Sequence, residues 1–144
     1  MLMEASATAF KDSRLRDWRR LVGETGDLAD IIVATLSLAS TEHNVSRIRL
    51  VDFYSIFDQL QKEFPDLIPP LHSTRANDYV YSKKLASALE SALSIGIRIS
   101  NPQFQFLEVE EAIGKGNLDR IQKRAGEAFI ERLKPIAKRL SELV

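Results

Sequence analysis

Apolar residues recur along this chain at two periods, and the changes from one to the other divide it into elements. Between Phe10 and Val22, five apolar residues (Phe10, Leu15, Trp18, Leu21, Val22) fall near one face of a helix. Lys11, Arg14, Arg16, Arg19 and Arg20 lie mostly on the other face, and Gly23 and Gly26 punctuate the end. Asp27 carries a good N-cap side chain, so a second helix is predicted from Leu28 to about Ser40. Leu28, Ile31, Ile32, Val33, Leu36 and Leu38 wrap most of its circumference, which is the pattern of a helix from the middle of a fold. Past Glu42, His43 and Asn44, the run Arg47-Ile48-Arg49-Leu50 alternates like a brief strand. Asp52 is then expected to cap an amphipathic helix in which Phe53, Ile56, Phe57, Leu60 and Phe64 keep helical spacing until Pro65.

Asp66 to Asp78, with Pro69-Pro70, reads as an ordered loop or a loop plus a short helical turn. A helix follows over Ser82 to Ser94, its periodicity extensible back to Thr74, with Leu85, Leu89, Ala92 and Leu93 inward. Gly96 stands where a left-handed residue would end it. Ile97-Arg98-Ile99-Ser100 and Gln103-Phe104-Gln105-Phe106 alternate on either side of Asn101-Pro102. They predict a β-hairpin with Ile99 opposite Phe104 and Ile97 opposite Phe106, all four on one buried face. Glu108 to Gly116 then leads into a long C-terminal helix capped by Asn117. Its apolar positions, from Leu118, Ile121 and Ala125 to Leu143, recur every three or four residues, and Pro135 is expected to kink or split it near Glu131 to Lys134.

The expected class is mainly α with a small antiparallel β-sheet (α+β), in one compact domain. Residues 1–26 form an N-terminal helical extension, 27–110 the core and 111–144 the C-terminal helix. Over Asp27 to about Glu110 the order is helix, short strand, helix, helix, two-stranded hairpin, helix. That order resembles the winged helix-turn-helix superfamily, through element order and hydrophobic pattern rather than a signature motif. The resemblance implies that the strand at Arg47–Leu50 joins the hairpin in a three-stranded sheet. It also implies that the helix at Ser82–Ser94 stands where the recognition helix does, with Ser100–Gln103 as the wing tip. The connection between the two central helices is longer than the tight turn usual there, and the outer helices Phe10–Val22 and Asn117–Val144 are additions.

Composition narrows the chemistry. The chain has no cysteine, which removes disulfides, thiolate nucleophiles and sulfur-ligated zinc and fits a reducing compartment. No basic region followed by an apolar core opens it, and its best apolar run, Ile31 to Ala39, is interrupted by Thr35 and Ser37. A soluble cytoplasmic protein with no membrane span is therefore expected. His43 and His72 are lone and lie in polar loops, away from ligand spacing. Gly114-Lys115-Gly116 lacks the upstream glycine and the following Ser/Thr of a phosphate loop and reads as a flexible lead-in to the helix. Glu108, Glu110 and Glu111 have no partner base, and Tyr79 and Tyr81 are expected at the edge of the core. No enzymatic activity, metal, cofactor or small-molecule site is expected.

Two kinds of partner remain open. By the winged-helix resemblance, DNA would meet the exposed face of the Ser82–Ser94 helix and the wing. The candidates there are Arg75, Lys83, Lys84, Ser87, Ser91, Arg98, Gln103 and Gln105. Glu90 on that face opposes phosphate, and the formal net charge of +0 is low for a protein relying on phosphate contacts. The alternative is a winged-helix protein-interaction module in a multi-subunit assembly. The four-three spacing of Phe129, Leu133, Ile136, Leu140 and Leu143 suggests a helical seam, and Trp18 a second anchor, through which terminal helices build a homo- or hetero-oligomer.

Overall fold

The computed structural model describes residues 28–77, 79–100 and 105–144. Over the described residues it is an α+β fold of five helices with a small three-stranded antiparallel sheet and a separate two-stranded one. The first described helix, α1 (residues 28–43), is buried at every position from Leu28 to Ser40 except the half-buried Asp30. Its all-round apolar sequence thus places it at the centre, as the pattern requires. Left-handed Asn44 (φ 59°) turns the chain beyond it, and the Val45 N–H donates to the Ala39 carbonyl at 3.0 Å.

Strand β1 (Arg47–Arg49) turns only Ile48 inward, and α2 (Leu50–Glu63) follows without a gap. Asp52 does not cap α2. It lies in the first turn, where its carboxylate accepts from Arg49 Nε at 2.8 Å, while the Leu50 N–H donates to the Gln105 carbonyl at 2.7 Å. Phe53, Ile56, Phe57 and Leu60 form the buried stripe of α2. Ile68 and Leu71 then anchor the connection that follows, both fully buried or nearly so.

That connection is not a loop with a helical turn. It holds an antiparallel hairpin of β2 (Thr74–Ala76) and β3 (Tyr79–Tyr81), with Arg75 opposite Val80 and left-handed Asn77 (φ 58°) at its turn. Asn tolerates this backbone because its short polar side chain bonds locally. Buried Ser82 then starts α3 (Lys83–Leu93). Its Oγ accepts from the Leu85 N–H at 3.0 Å and donates to the Leu71 carbonyl at 2.6 Å, so one hydroxyl both caps the helix and ties down the preceding loop.

Strands β4 (Arg98–Ser100) and β5 (Phe106–Glu108) complete the larger sheet in the order β1-β5-β4. The register differs from the expected one. Ile99 pairs with Leu107 and Ser100 with Phe106, a slip of three positions. An odd slip exchanges the two faces of a strand. Leu107 and Val109 are therefore buried, and Phe106 lies on the outer face beneath the Arg47 guanidinium, 4.0 Å from the ring centroid. Phe104 lies outside the described residues.

Helix α4 (Glu111–Ala125) starts six residues before Asn117, so Gly114-Lys115-Gly116 is helix interior rather than a lead-in, and Asn117 caps nothing. Asn117 is fully buried, with its amide 3.1 Å from both Ser37 Oγ and the Gly96 carbonyl. Gly96 is not left-handed; its need is for space, since a Cβ there would stand 2.1 Å from Asn117 Oδ1. The chain breaks at Gly126, whose φ of 96° suits glycine, and resumes as α5 (Glu127–Leu143). Pro135 does not split α5. Pro135 and Glu131 are both exposed, so water can take the Glu131 carbonyl that a missing N–H leaves free.

Leu133, Ile136 and Leu140 are 1% exposed or less and share one core with α1, α2, α3 and the sheet. They are therefore unavailable as a seam for a second chain. Phe129 and Leu143 pack against that core part-buried, and Trp18 lies outside the described residues. Arg139 on α5 reaches Glu63 at the end of α2, 2.8 Å from Nε to Oε1.

Two outcomes follow from this architecture. Gly96→Ala forces Asn117 out of its hydrogen bonds and should cost about 1–3 kcal/mol, the usual range for overpacking. In urea unfolding, Gly96→Ala/Asn117→Ala should cost measurably less than the sum of the two single variants; additive costs would refute the contact. Hydrogen bonds from Arg139, and then from Gln59, hold the Glu63 carboxyl below the ordinary carboxylate range. A lowered folded-state pKa stabilises above the unfolded value and loses that contribution as pH falls through the folded one. The urea midpoint should therefore fall less steeply in acid for Glu63→Gln than for the wild type, and equal slopes would contradict the pairing.

Candidate functional site

The expected contact residues divide among three places. Lys83, Ser87 and Ser91 recur every four residues along the outer face of α3, with Lys84 half-buried beside them and Glu90 exposed. Ser91 Oγ donates back to the Ser87 carbonyl at 3.4 Å. Arg75 is on β2, turned to Asp58 of α2 at 2.9 Å. Arg98 is on β4, where it pairs with Glu108, and that bond holds its guanidinium firmly protonated. Arg47 pairs with the same Glu108 from the other side at 3.6 Å. Gln105 is exposed, and Gln103 lies outside the described residues. Arg47 and Arg98 thus share one carboxylate set between them, and Arg98 is not brought together with Lys83 in one ion-pair network.

What the structure gathers instead is aromatic. All three tyrosines of the chain occur around the β2–β3 hairpin. Tyr79 and Tyr81 share one face of β3 by strand alternation and are 67% and 49% exposed, so they are not core-edge residues. The Tyr81 ring lies 5.3 Å from that of Tyr54 on α2, and Tyr54 meets the buried Phe53 edge-on at 5.5 Å. Tyr54 therefore links the exposed tyrosines to the core. Val51, one turn before Tyr54 on the same helix, is 58% exposed. The sequence held a signal for this surface: short alternating runs on either side of Asn77-Asp78 read as a hairpin, and a hairpin leaves one face of its strands outward.

Charge at this surface centres on Asp58. Its carboxylate receives Arg75 at 2.9 Å and Lys62, one helical turn along α2, at 3.4 Å. Three residues of the α2–hairpin junction (Tyr54, Asp58 and Lys62) thus form an i, i+4, i+8 stripe facing β3. Elsewhere, a cleft of about 290 Å³ opens where α3 ends, lined by Ile95, Ile97, Arg98, Glu108 and Ile113 among others. No helix among the described residues is long and apolar enough to cross a membrane.

Burial, and then the neighbouring Tyr81, push the Tyr54 phenol above the ordinary tyrosine range. In an alkaline titration followed by phenolate absorbance, Tyr54→Phe should delete the last tyrosine to ionise. Loss of an earlier step would contradict its placement between Phe53 and Tyr81. No protein-family model matches this chain, no curated protein matches it, and no solved structure matches it.

Proposed function

We propose that this chain is a binding module of winged-helix type whose partner is another protein. The observation that carries the reading is the pair of exposed tyrosines, Tyr79 and Tyr81, before the head of α3, with Tyr81 backed by the part-buried Tyr54. Tyrosine offers a large rigid contact area with a hydroxyl, at low conformational-entropy cost, and is enriched among residues that dominate protein–protein affinity. The winged-helix part is supported by the strand order β1-β5-β4, in which the strand before α2 pairs with the second strand of the hairpin after α3. The β2–β3 hairpin occupies the connection that is a tight turn in a DNA-reading helix-turn-helix, so the start of α3 carries an extra element with its own side chains outward.

A second reading, duplex DNA, is favoured by Lys83 and Lys84 at the start of α3, where cations reach phosphates. The paired state of Arg75 and Arg98 and the formal net charge of +0 weigh against it.

One experiment separates the two. The full chain, Tyr79→Ala/Tyr81→Ala and Lys83→Ala/Lys84→Ala are each titrated with labelled random duplex DNA at several salt concentrations. Each is also used as bait in its source lysate, with captured proteins identified. The expected result is a captured protein whose affinity falls at least about 30-fold with the tyrosine variant, and no DNA binding at low salt. Micromolar DNA binding that weakens steeply with salt and is lost in the lysine variant would overturn the protein reading.

A further inference from the structure

We propose that the β2–β3 hairpin is a clasp that opens as a unit while the core stays folded, and that the Arg75–Asp58 pair is its latch. Opening of this kind is independent of which partner the tyrosines meet. The hairpin is fixed at its base and little held beyond it. Ser82 Oγ donates to the Leu71 carbonyl at 2.6 Å, so the buried residues before and after the hairpin are tied to each other. Between them, β2 is exposed at all three positions and β3 at its two tyrosines. No described residue from 72 to 81 belongs to the buried core. Segments with few buried apolar contacts open at a lower free energy than the whole fold.

Two residues at the entry to β2 oppose closure. His72 is left-handed at φ 52°, a backbone state that a residue with a Cβ holds against steric strain. Its neighbour Ser73 keeps a buried Oγ with no hydrogen-bond partner among the described residues. An unpaired buried hydroxyl destabilises the state that buries it, and opening returns it to water.

Contacts from the hairpin to α2 act the other way. The Tyr81 ring lies 5.3 Å from that of Tyr54, and Arg75 Nη2 donates to Asp58 Oδ2 at 2.9 Å. Asp58 is buried and Arg75 exposed, and Lys62 of α2 itself is 3.4 Å from the same oxygen. When the hairpin opens, the carboxylate keeps Lys62 as its counter-ion, so releasing Arg75 does not strand a buried charge. The like cluster at Glu108 joins Arg47 and Arg98 within one sheet whose strands are already paired, and it latches nothing. Opening separates Tyr81 from Tyr54, so the latch sets the fraction of molecules that present the assembled tyrosines.

The test is native-state hydrogen exchange of the full chain, read amide by amide by NMR in sub-denaturing urea, for the wild type, Arg75→Gln and Ser73→Ala. Amides paired across β2 and β3 should exchange through an opening that urea barely promotes, at a lower free energy than those of α1. Arg75→Gln should lower hairpin protection at least about threefold, and high salt should move the wild type in the same direction. Ser73→Ala should raise it at least about threefold, with the α1 amides unchanged in both variants. Hairpin amides that exchange only together with α1 would overturn the clasp. Hairpin amides with no protection at all would overturn it too, since there would be no closed state to hold. An Arg75→Gln variant that leaves the hairpin unchanged, or weakens α1 equally, would overturn the latch. Lowered protection in Ser73→Ala would show that the hydroxyl supports closure and would overturn its part in the hinge.

Discussion

A helix enclosed on nearly every side constrains what covers it through its buried polar side chains, and Ser37 and Ser40 of α1, though not the unpartnered Thr35, set that constraint on the chain. Ser37 and Ser40 are buried with its leucines and isoleucines, and each finds a partner far along the sequence. Ser40 donates to the Val109 carbonyl at 2.7 Å, where β5 gives way to α4, and Ser37 accepts from Asn117 within α4. Leaving either hydroxyl unpaired would cost more than the bond itself contributes. The start of α4 is thereby fixed over α1. Gly114 permits the approach, since a Cβ there would stand 3.3 Å from the Ser37 carbonyl oxygen. The same Asn117 takes the Gly96 carbonyl, so the end of α3 and the entry to β4 are held by the residue that holds α4.

This arrangement explains why the candidate surface lies where it does. Near Asn117, α4 encloses α1 through the few residues it buries, Gly114, Asn117 and Ile121. The β2–β3 hairpin is attached differently, through Ser82 to Leu71, through Tyr54 and through Asp58. It contributes no residue to the fully buried core, whereas Ile68 and Leu71 just before it do. A hairpin that the core does not need, carrying tyrosines 67% and 49% exposed, is a place where sequence is free to serve a partner.

The elements legible in the sequence are those whose apolar pattern is long. The all-round burial of α1, the stripe of α2 and the Ser82-capped α3 each had a dozen residues or so to declare a period, and the strand before α2 could be joined correctly to the later hairpin. What could not be read depended on contacts between distant residues. The alternation of Gln103 to Phe106 changes phase at Leu107 and Val109, and only the burial of those two selects the register observed. Gly96 looked like a helix terminator because its contact with Asn117 spans 21 residues. Pro135 looked like the breaker of the last helix, but an exposed proline disturbs only a carbonyl that water can reach, whereas Gly126 at φ 96° interrupts the chain outright.

The site was harder to read than the fold for a related reason. Lys83, Lys84, Arg75 and Arg98 were chosen by charge and by position in an expected architecture, and charge on a sequence carries no record of what neutralises it. Glu108 lies ten residues from Arg98, and Asp58 seventeen from Arg75. Once those carboxylates are in place, each cluster is two cations sharing one part-buried carboxylate, Glu108 between Arg47 and Arg98 and Asp58 between Lys62 and Arg75. The same consideration applies to the tyrosines: a β-branched or aromatic residue in a strand is equally at home on either face, and its outward direction at Tyr79 and Tyr81 follows from Val80 being the one side chain of β3 that alternation turns toward the protein.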